Sequence, residues 1–157
     1  MKIKLLAVGK IKRREYAGLA EEYIRRIKHY HPLELIEIPD AAIRPKADLE
    51  SALQEEAKKI ARQVKPNACL IVLDEKGEQW TSIDLAWEMS DLFNHSFSEI
   101  VFLIGGAFGI AASLKEDARF LLSLSKLTLP HQLARVLLLE QIYRALTILK
   151  NVPYHHE

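Results

Sequence analysis

With 157 residues, 49% of them hydrophobic, the chain is long enough to bury one sizeable core, and residues 1–157 read as a single domain. Its 22 basic and 21 acidic side chains leave a net charge of +1, which excludes nucleic-acid binding by bulk charge; any RNA site has to be a local patch. The single Cys69 cannot close an internal disulfide and no apolar run nears the roughly 20 residues that cross a bilayer, so the chain reads as a soluble cytoplasmic protein.

In chain order, Ile3 to Val8 is a strand ending at Gly9. Lys10-Ile-Lys-Arg-Arg14 leads into a helix with Tyr16, Leu19, Ala20, Tyr23, Ile24 and Ile27 on one face. Leu33 to Ile38 forms a second strand, stopped by Pro39, and a polar connection from Asp40 to Lys46 contains Pro45. Leu49, Leu53, Ala57, Ile60 and Val64 mark a second helix. Cys69 to Leu73 is a continuous apolar run, the pattern of a strand covered on both faces, and Asp74-Glu-Lys-Gly77 is expected to turn the chain. Thr81-Ser-Ile-Asp84 matches a capping box, placing a helix start near Ser82. Ile100 to Ile104 is another buried strand, running into Gly105-Gly106, and a short helix is expected over Ser113 to Phe120.

The stretch from Ser123 to His131 begins like a strand, with Leu122, Leu124, Leu127 and Leu129 apolar, and Pro130 closes it. A long helix follows. Its Leu133, Val136, Leu137, Leu139, Ile142, Leu146 and Leu149 point nearly all round the axis, which suggests burial by a second subunit. Strand and helix alternate throughout, so the fold class is α/β, a mostly parallel sheet with helices on both faces.

Ligands of such sheets bind beyond the carboxyl ends of the strands, and three ends stand out. Leu73 opens the first. The second is Leu103-Ile-Gly-Gly-Ala-Phe-Gly109, where Gly105 and Gly106 either admit a ligand closely or serve only a tight turn. The third is Ser125-Lys-Leu-Thr-Leu-Pro130, which either bonds an adenine edge through its backbone while Leu127 and Leu129 hold the faces or serves only loop packing. Lys10, Lys12, Arg13, Arg14, Arg25, Arg26 and Lys28 are either a solvated helix face or an RNA-backbone patch. The tail Asn151-Val-Pro-Tyr-His-His-Glu157 is rich in groups that stack and exchange protons, although a frayed end has the same address. The six histidines show no metal-ligand spacing with Cys69, so no metal is expected.

Leu103 to Gly109, Leu124 to His131, Arg135-Val-Leu-Leu-Leu-Glu-Gln-Ile-Tyr-Arg-Ala145 and the tail, with the opening Lys4 to Gly9 and Glu34 to Pro39, together resemble the ribosomal RNA large subunit methyltransferase H family. The resemblance covers essentially the whole chain. One departure is Ala107, where many members carry proline. The resemblance implies a SPOUT-type domain with a carboxyl-terminal trefoil knot, a homodimer, and methylation of a pseudouridine N3 in 23S rRNA of the ribosome by S-adenosylmethionine. It implies cofactor contacts at Leu73, Gly105, Gly106, Ser125, Lys126, Leu127, Thr128, Leu129 and Pro130. For the chemistry, the expected roles are His155 as base, Tyr154 orienting the substrate, and Arg144 or Arg135 stabilising the developing anion. Competing readings are a related tRNA methyltransferase, a non-catalytic ribosome-associated RNA-binding dimer and, last, a flavodoxin-like redox protein.

Overall fold

Runs such as Ile100-Val-Phe-Leu-Ile104 have no polar side to offer water. The computed structural model, which describes residues 1–40 and 49–156, buries all five of those residues. The chain order is β1 (Ile3–Val8), α1 (Arg14–Lys28), β2 (Leu33–Ile38), α2 (Leu49–Ala61), β3 (Cys69–Gln79), α3 (Ser82–Asn94), β4 (Ile100–Ile104), α4 (Ala112–Glu116), β5 (Phe120–Ser123) and α5 (His131–Leu149). The strands form one sheet in the order β2-β1-β4-β3-β5, every pairing parallel. Parallel neighbours require crossover connections, which the helices supply. Of the connection expected from Asp40 to Lys46, residues 41–46, Pro45 among them, lie outside the described residues.

Strand alternation divides the core in two. Ile3, Leu5, Ala7, Ile71 and Phe102 face the layer of α1, α3 and α5. Leu6, Val8, Val72, Val101 and Leu103 face α2 and α4. Each fully buried Ile, Leu or Phe contributes roughly 1.5–3 kcal/mol against exposure, so both layers are needed to hold the sheet. The capping box at α3 is formed: the Asp84 amide donates to Thr81 Oγ1 at 3.0 Å, and the Thr81 amide to Asp84 Oδ2 at 2.8 Å.

Three expectations need correction. Asp74 to Gly77 does not turn the chain. Those residues bulge within β3, which pairs β5 through Leu73↔Leu122 and resumes at Glu78↔Leu122. A Cβ on Gly77 would lie 2.5 Å from the Leu121 carbonyl, so only glycine lets the two backbones pass there. Second, the helix expected over Ser113 to Phe120 is the five-residue α4, and Phe120 opens β5, its ring edge-on to Trp80 at 5.1 Å. Third, the strand expected from Ser123 onward therefore lies earlier, and Leu124 to Pro130 is a loop. Leucines at 122, 124, 127 and 129 break a period of two, and Leu127 is 75% exposed.

The apolar residues all round α5 also have nearer cover than a second subunit. This helix packs against both α1 and α3 of its own chain, and Ser82 Oγ donates to Gln141 Oε1 at 2.7 Å. Leu133 and Leu137 remain half-buried.

Candidate active site

Because α4 packs on one face of the sheet and α5 on the other, the loop from Leu124 to Pro130 must carry the chain round the carboxyl ends of the strands. There it meets the β3 bulge and the loop after β4. The three enclose a cleft of about 650 Å³ lined by Leu73, Gly105, Gly106, Ser125, Leu127, Thr128, Leu129 and Pro130, with Ile104, Ile110 and Leu122 as apolar floor. All the expected cofactor residues line it except Lys126, which is exposed beside it.

Each loop is held by its own bonds. Gly105 packs under the loop it begins: a Cβ there would sit 2.6 Å from both the Gly109 carbonyl oxygen and Ile110 Cγ1. The Gly109 amide returns to the Gly106 carbonyl at 3.2 Å. In the following loop, Ser123 Oγ donates to the Ser125 carbonyl at 2.9 Å, and the Leu127 amide donates to Ser125 Oγ at 2.9 Å. The amides of Lys126, Thr128 and Leu129 make no hydrogen bond to any described residue. Free backbone donors and acceptors beside an exposed leucine suit a flat heteroaromatic ring with polar edges. Asp74 lines the same cleft. Burial alone would raise its carboxyl, but the ion pair with Lys115 and the Lys76 amide outweigh it and hold the group below the usual carboxylate range.

The residues expected to carry chemistry divide. Arg144, Tyr154 and His155 form one cluster near the end of α5. Glu140, one turn back, binds Arg144 Nε at 3.0 Å and accepts from the Tyr154 hydroxyl at 3.2 Å. The Arg144 guanidinium lies 4.8 Å from the Tyr154 ring centre and 3.4 Å from His155 Nδ1. Tyr143 meets Tyr154 edge-on at 4.7 Å, and Arg26 of α1 lies over the Tyr23 and Tyr143 rings. Hydrogen bonding to Glu140 keeps Arg144 firmly cationic. Burial, then Tyr23 and Glu140, push the Tyr154 phenol far above its ordinary range, so it is a neutral donor and not a base. The tail is thus docked rather than frayed, and His155 Nε2 is buried without a partner among the described residues.

Arg135 is elsewhere and is a correction. Its side chain is wholly buried beneath the end of β1, Nη1 paired with Glu37 at 2.7 Å and Nη2 donating to the Gly9 carbonyl at 2.9 Å. A guanidinium so enclosed ties α5 to the sheet and is not offered to a substrate. Sequence reasoning passed over Gln132, whose Oε1 accepts from the amides of Lys12 at 2.8 Å and Arg13 at 3.2 Å. The orphan donors ahead of α1, which has no side-chain cap, were the available signal.

Within one chain the cleft and the cluster are apart. His131 and Ala134 line the cleft, whereas Arg144 lies thirteen residues beyond His131, about 20 Å along a helix.

Known proteins are similar to this chain along its whole length. A family model described as "Predicted SPOUT methyltransferase" matches residues 1–155. A Gloeobacter violaceus protein named "Ribosomal RNA large subunit methyltransferase H" is 45% identical over 157 residues, covering 99% of both chains. Proteins of the same name from Desulforamulus reducens, 44% identical over 99% of each chain, and Porphyromonas gingivalis, 37% identical over the full length of both, are similar throughout. The strand-end cleft belongs to a chain that is a member of the SPOUT methyltransferase family.

Proposed function

We propose that this methyltransferase acts on the N3 of a pseudouridine in 23S rRNA of the assembled ribosome, with S-adenosylmethionine as methyl donor, in the cytoplasm and as a homodimer. The names of its relatives support ribosomal RNA of the large subunit as the substrate. The single observation that carries the cofactor assignment is the convergence of Gly106 and Leu127 on one cleft. Its apolar walls and unpaired amides fit an adenosyl group. When bound, the cofactor supplies a methyl group already attached to a good leaving group, a sulfonium. The chain's task is then to orient the acceptor and exclude water; orientation can supply roughly 7–11 kcal/mol.

The N3 of the acceptor must lose its proton. His155 takes that proton in this reading, Arg144 stabilises the anion that develops, and Tyr154 donates to or stacks on the base. Arg135 instead positions α5. Since Arg144 lies about 15 Å along α5 even from Ala134, the last cleft residue on that helix, the reading requires a second subunit. The half-buried stripe of Leu133, Ala134, Leu137, Gln141 and Arg144 repeats at helical spacing. A twofold axis crossing it near Leu137 would bring the partner subunit's Arg144 against Pro130, at the cleft mouth. Closed twofold dimers place the same patch on both subunits, which gives two equivalent composite sites. The trefoil knot belongs to the same reading.

The test combines two measurements. S-adenosylmethionine at a hundredfold excess over its Kd should raise the melting temperature by about 5–10 °C. Mass spectrometry of rRNA from treated ribosomes should then show one added methyl, on a pseudouridine base. Methylation of tRNA or of a ribose oxygen would overturn the substrate assignment, and no thermal shift would overturn the cofactor assignment.

A further inference from the structure

The sequence left Lys10 to Arg14 open between a solvated helix face and an RNA patch, and the structure sets these cations apart from Arg25, Arg26 and Lys28 by place, at the amino end of α1 beside the cleft. Arg26 is paired with Glu22 and stacked on two tyrosines far down α1. Lys10, Lys12, Arg13 and Arg14 instead sit exposed at the carboxyl edge of the sheet, and none of them forms an ion pair with a described residue. Gln132, at the start of α5, fixes their loop by accepting from two successive amides. Lys10 and Lys12 also line a hollow of about 260 Å³ that shares Gly106, Phe108 and His131 with the wall of the cofactor cleft. Asp40 and Glu56 line that hollow as well, so it is poorly suited to enclose an anion.

From this placement we infer that the loop from Lys10 to Arg14, pinned by Gln132, is a docking rail for the phosphate backbone of the RNA substrate, beside the base that enters the cleft. The inference rests on the RNA reading above. Four cations without an ion pair among the described residues, on the first residue of α1 and the loop before it, orient a polyanion at the cleft without reading its sequence. Arg13, lying 5.6 Å from the Tyr16 ring centre, is braced in the same outward sense. Phe108, 57% exposed on the neighbouring loop, offers a stacking face for a flanking base.

Binding of a fluorescent RNA hairpin of about 30 nucleotides, followed by anisotropy across a potassium chloride series, tests the rail. The variant Lys10→Gln/Lys12→Gln/Arg14→Gln should bind at least about tenfold more weakly at about 100 mM salt, with the slope of log K against log salt reduced by about 2. Its thermal shift with S-adenosylmethionine should match the parent. A like-for-like control removes Lys58, Arg62 and Lys65 by glutamine at the amino end of the strands and should keep the parental slope. An unchanged slope in the rail variant, or an equal loss in the control, would overturn the rail while leaving the methyltransferase reading intact. A parent chain with no salt-dependent binding to either the hairpin or whole ribosomes would instead overturn the RNA reading beneath it.

Discussion

The two ends of the sheet are built from the same strands and do opposite things. At the amino ends, polar groups are sealed inward. Lys4 Nζ donates to Glu99 Oε1 at 2.8 Å and to the Gln63 carbonyl at 2.6 Å, with both side chains buried. The Lys65 amide joins on the same carboxylate oxygen at 3.2 Å, while Glu99 Oε2 is buried without a partner among the described residues. At the carboxyl ends, loops leave amides unpaired and Leu127 in water. A buried ion pair holds its surroundings together, whereas a large apolar side chain left in water marks a surface that something else can cover. Stability is concentrated at one edge, and the proposed binding cleft lies at the other.

Breaking the sealed end should have the largest effect. Glu99→Ala leaves the Lys4 ammonium buried without its partner and should cost about 3–5 kcal/mol in urea unfolding. Affinity for the cofactor in the folded fraction should be unaltered. At the open end, His155→Ala should slow single-turnover methylation by about a hundredfold and flatten the acid side of its pH–rate profile. A profile with unchanged shape would remove His155 as the base. Leu127→Asp should reduce S-adenosylmethionine affinity about tenfold in calorimetry, yet shift stability by no more than about 0.5 kcal/mol, since the side chain is already exposed. Equal losses of stability at Leu127 and Glu99 would erase the distinction between the ends.

The smallest effect concerns His31, which stacks on Phe93 with ring centres 4.5 Å apart. Burial, then the charged amino terminus and Lys150, hold its imidazole below the ordinary value. As pH falls below about 6.5, the unfolded chain therefore takes up this proton before the folded one. The stability present above that value is lost toward the lower folded one. His31→Phe keeps the stacking and should lessen the acid-side fall in melting temperature by about 2 °C.

Much of this layout was legible in the residues. β1, β2 and β4 kept their expected limits, because apolar-rich segments of five or six residues ending at Gly9, Pro39 and Gly105 are too short to be helices. The capping box at Thr81 gave the start of α3 for a local reason: both partners lie within four residues. The third strand end was harder. β5 has only four residues, and its partner β3 is interrupted by a bulge that depends on the absence of a Cβ at Gly77. Local periodicity cannot report such a long-range backbone contact. Arg135 misled for a related reason. An arginine inside a motif looks chemical, and only the pairing with Glu37 and Gly9, far away in sequence, shows it to be a tie between α5 and the sheet. The tail was singled out for its composition, but its distance from the cleft depended on the direction of α5.

That distance makes a mixing experiment the most direct test of a site shared between subunits. Leu127→Asp impairs the cleft when S-adenosylmethionine is held below the variant's Kd, and Arg144→Ala disables the cluster farther along the chain, on α5. Each variant alone should methylate ribosomes poorly. Co-expressed and purified as a heterodimer through separate tags, the pair should recover about half of the parental rate per dimer, because one of the two composite sites is then intact. A heterodimer no more active than either parent variant would contradict the account and place cleft and cluster in the service of a single chain.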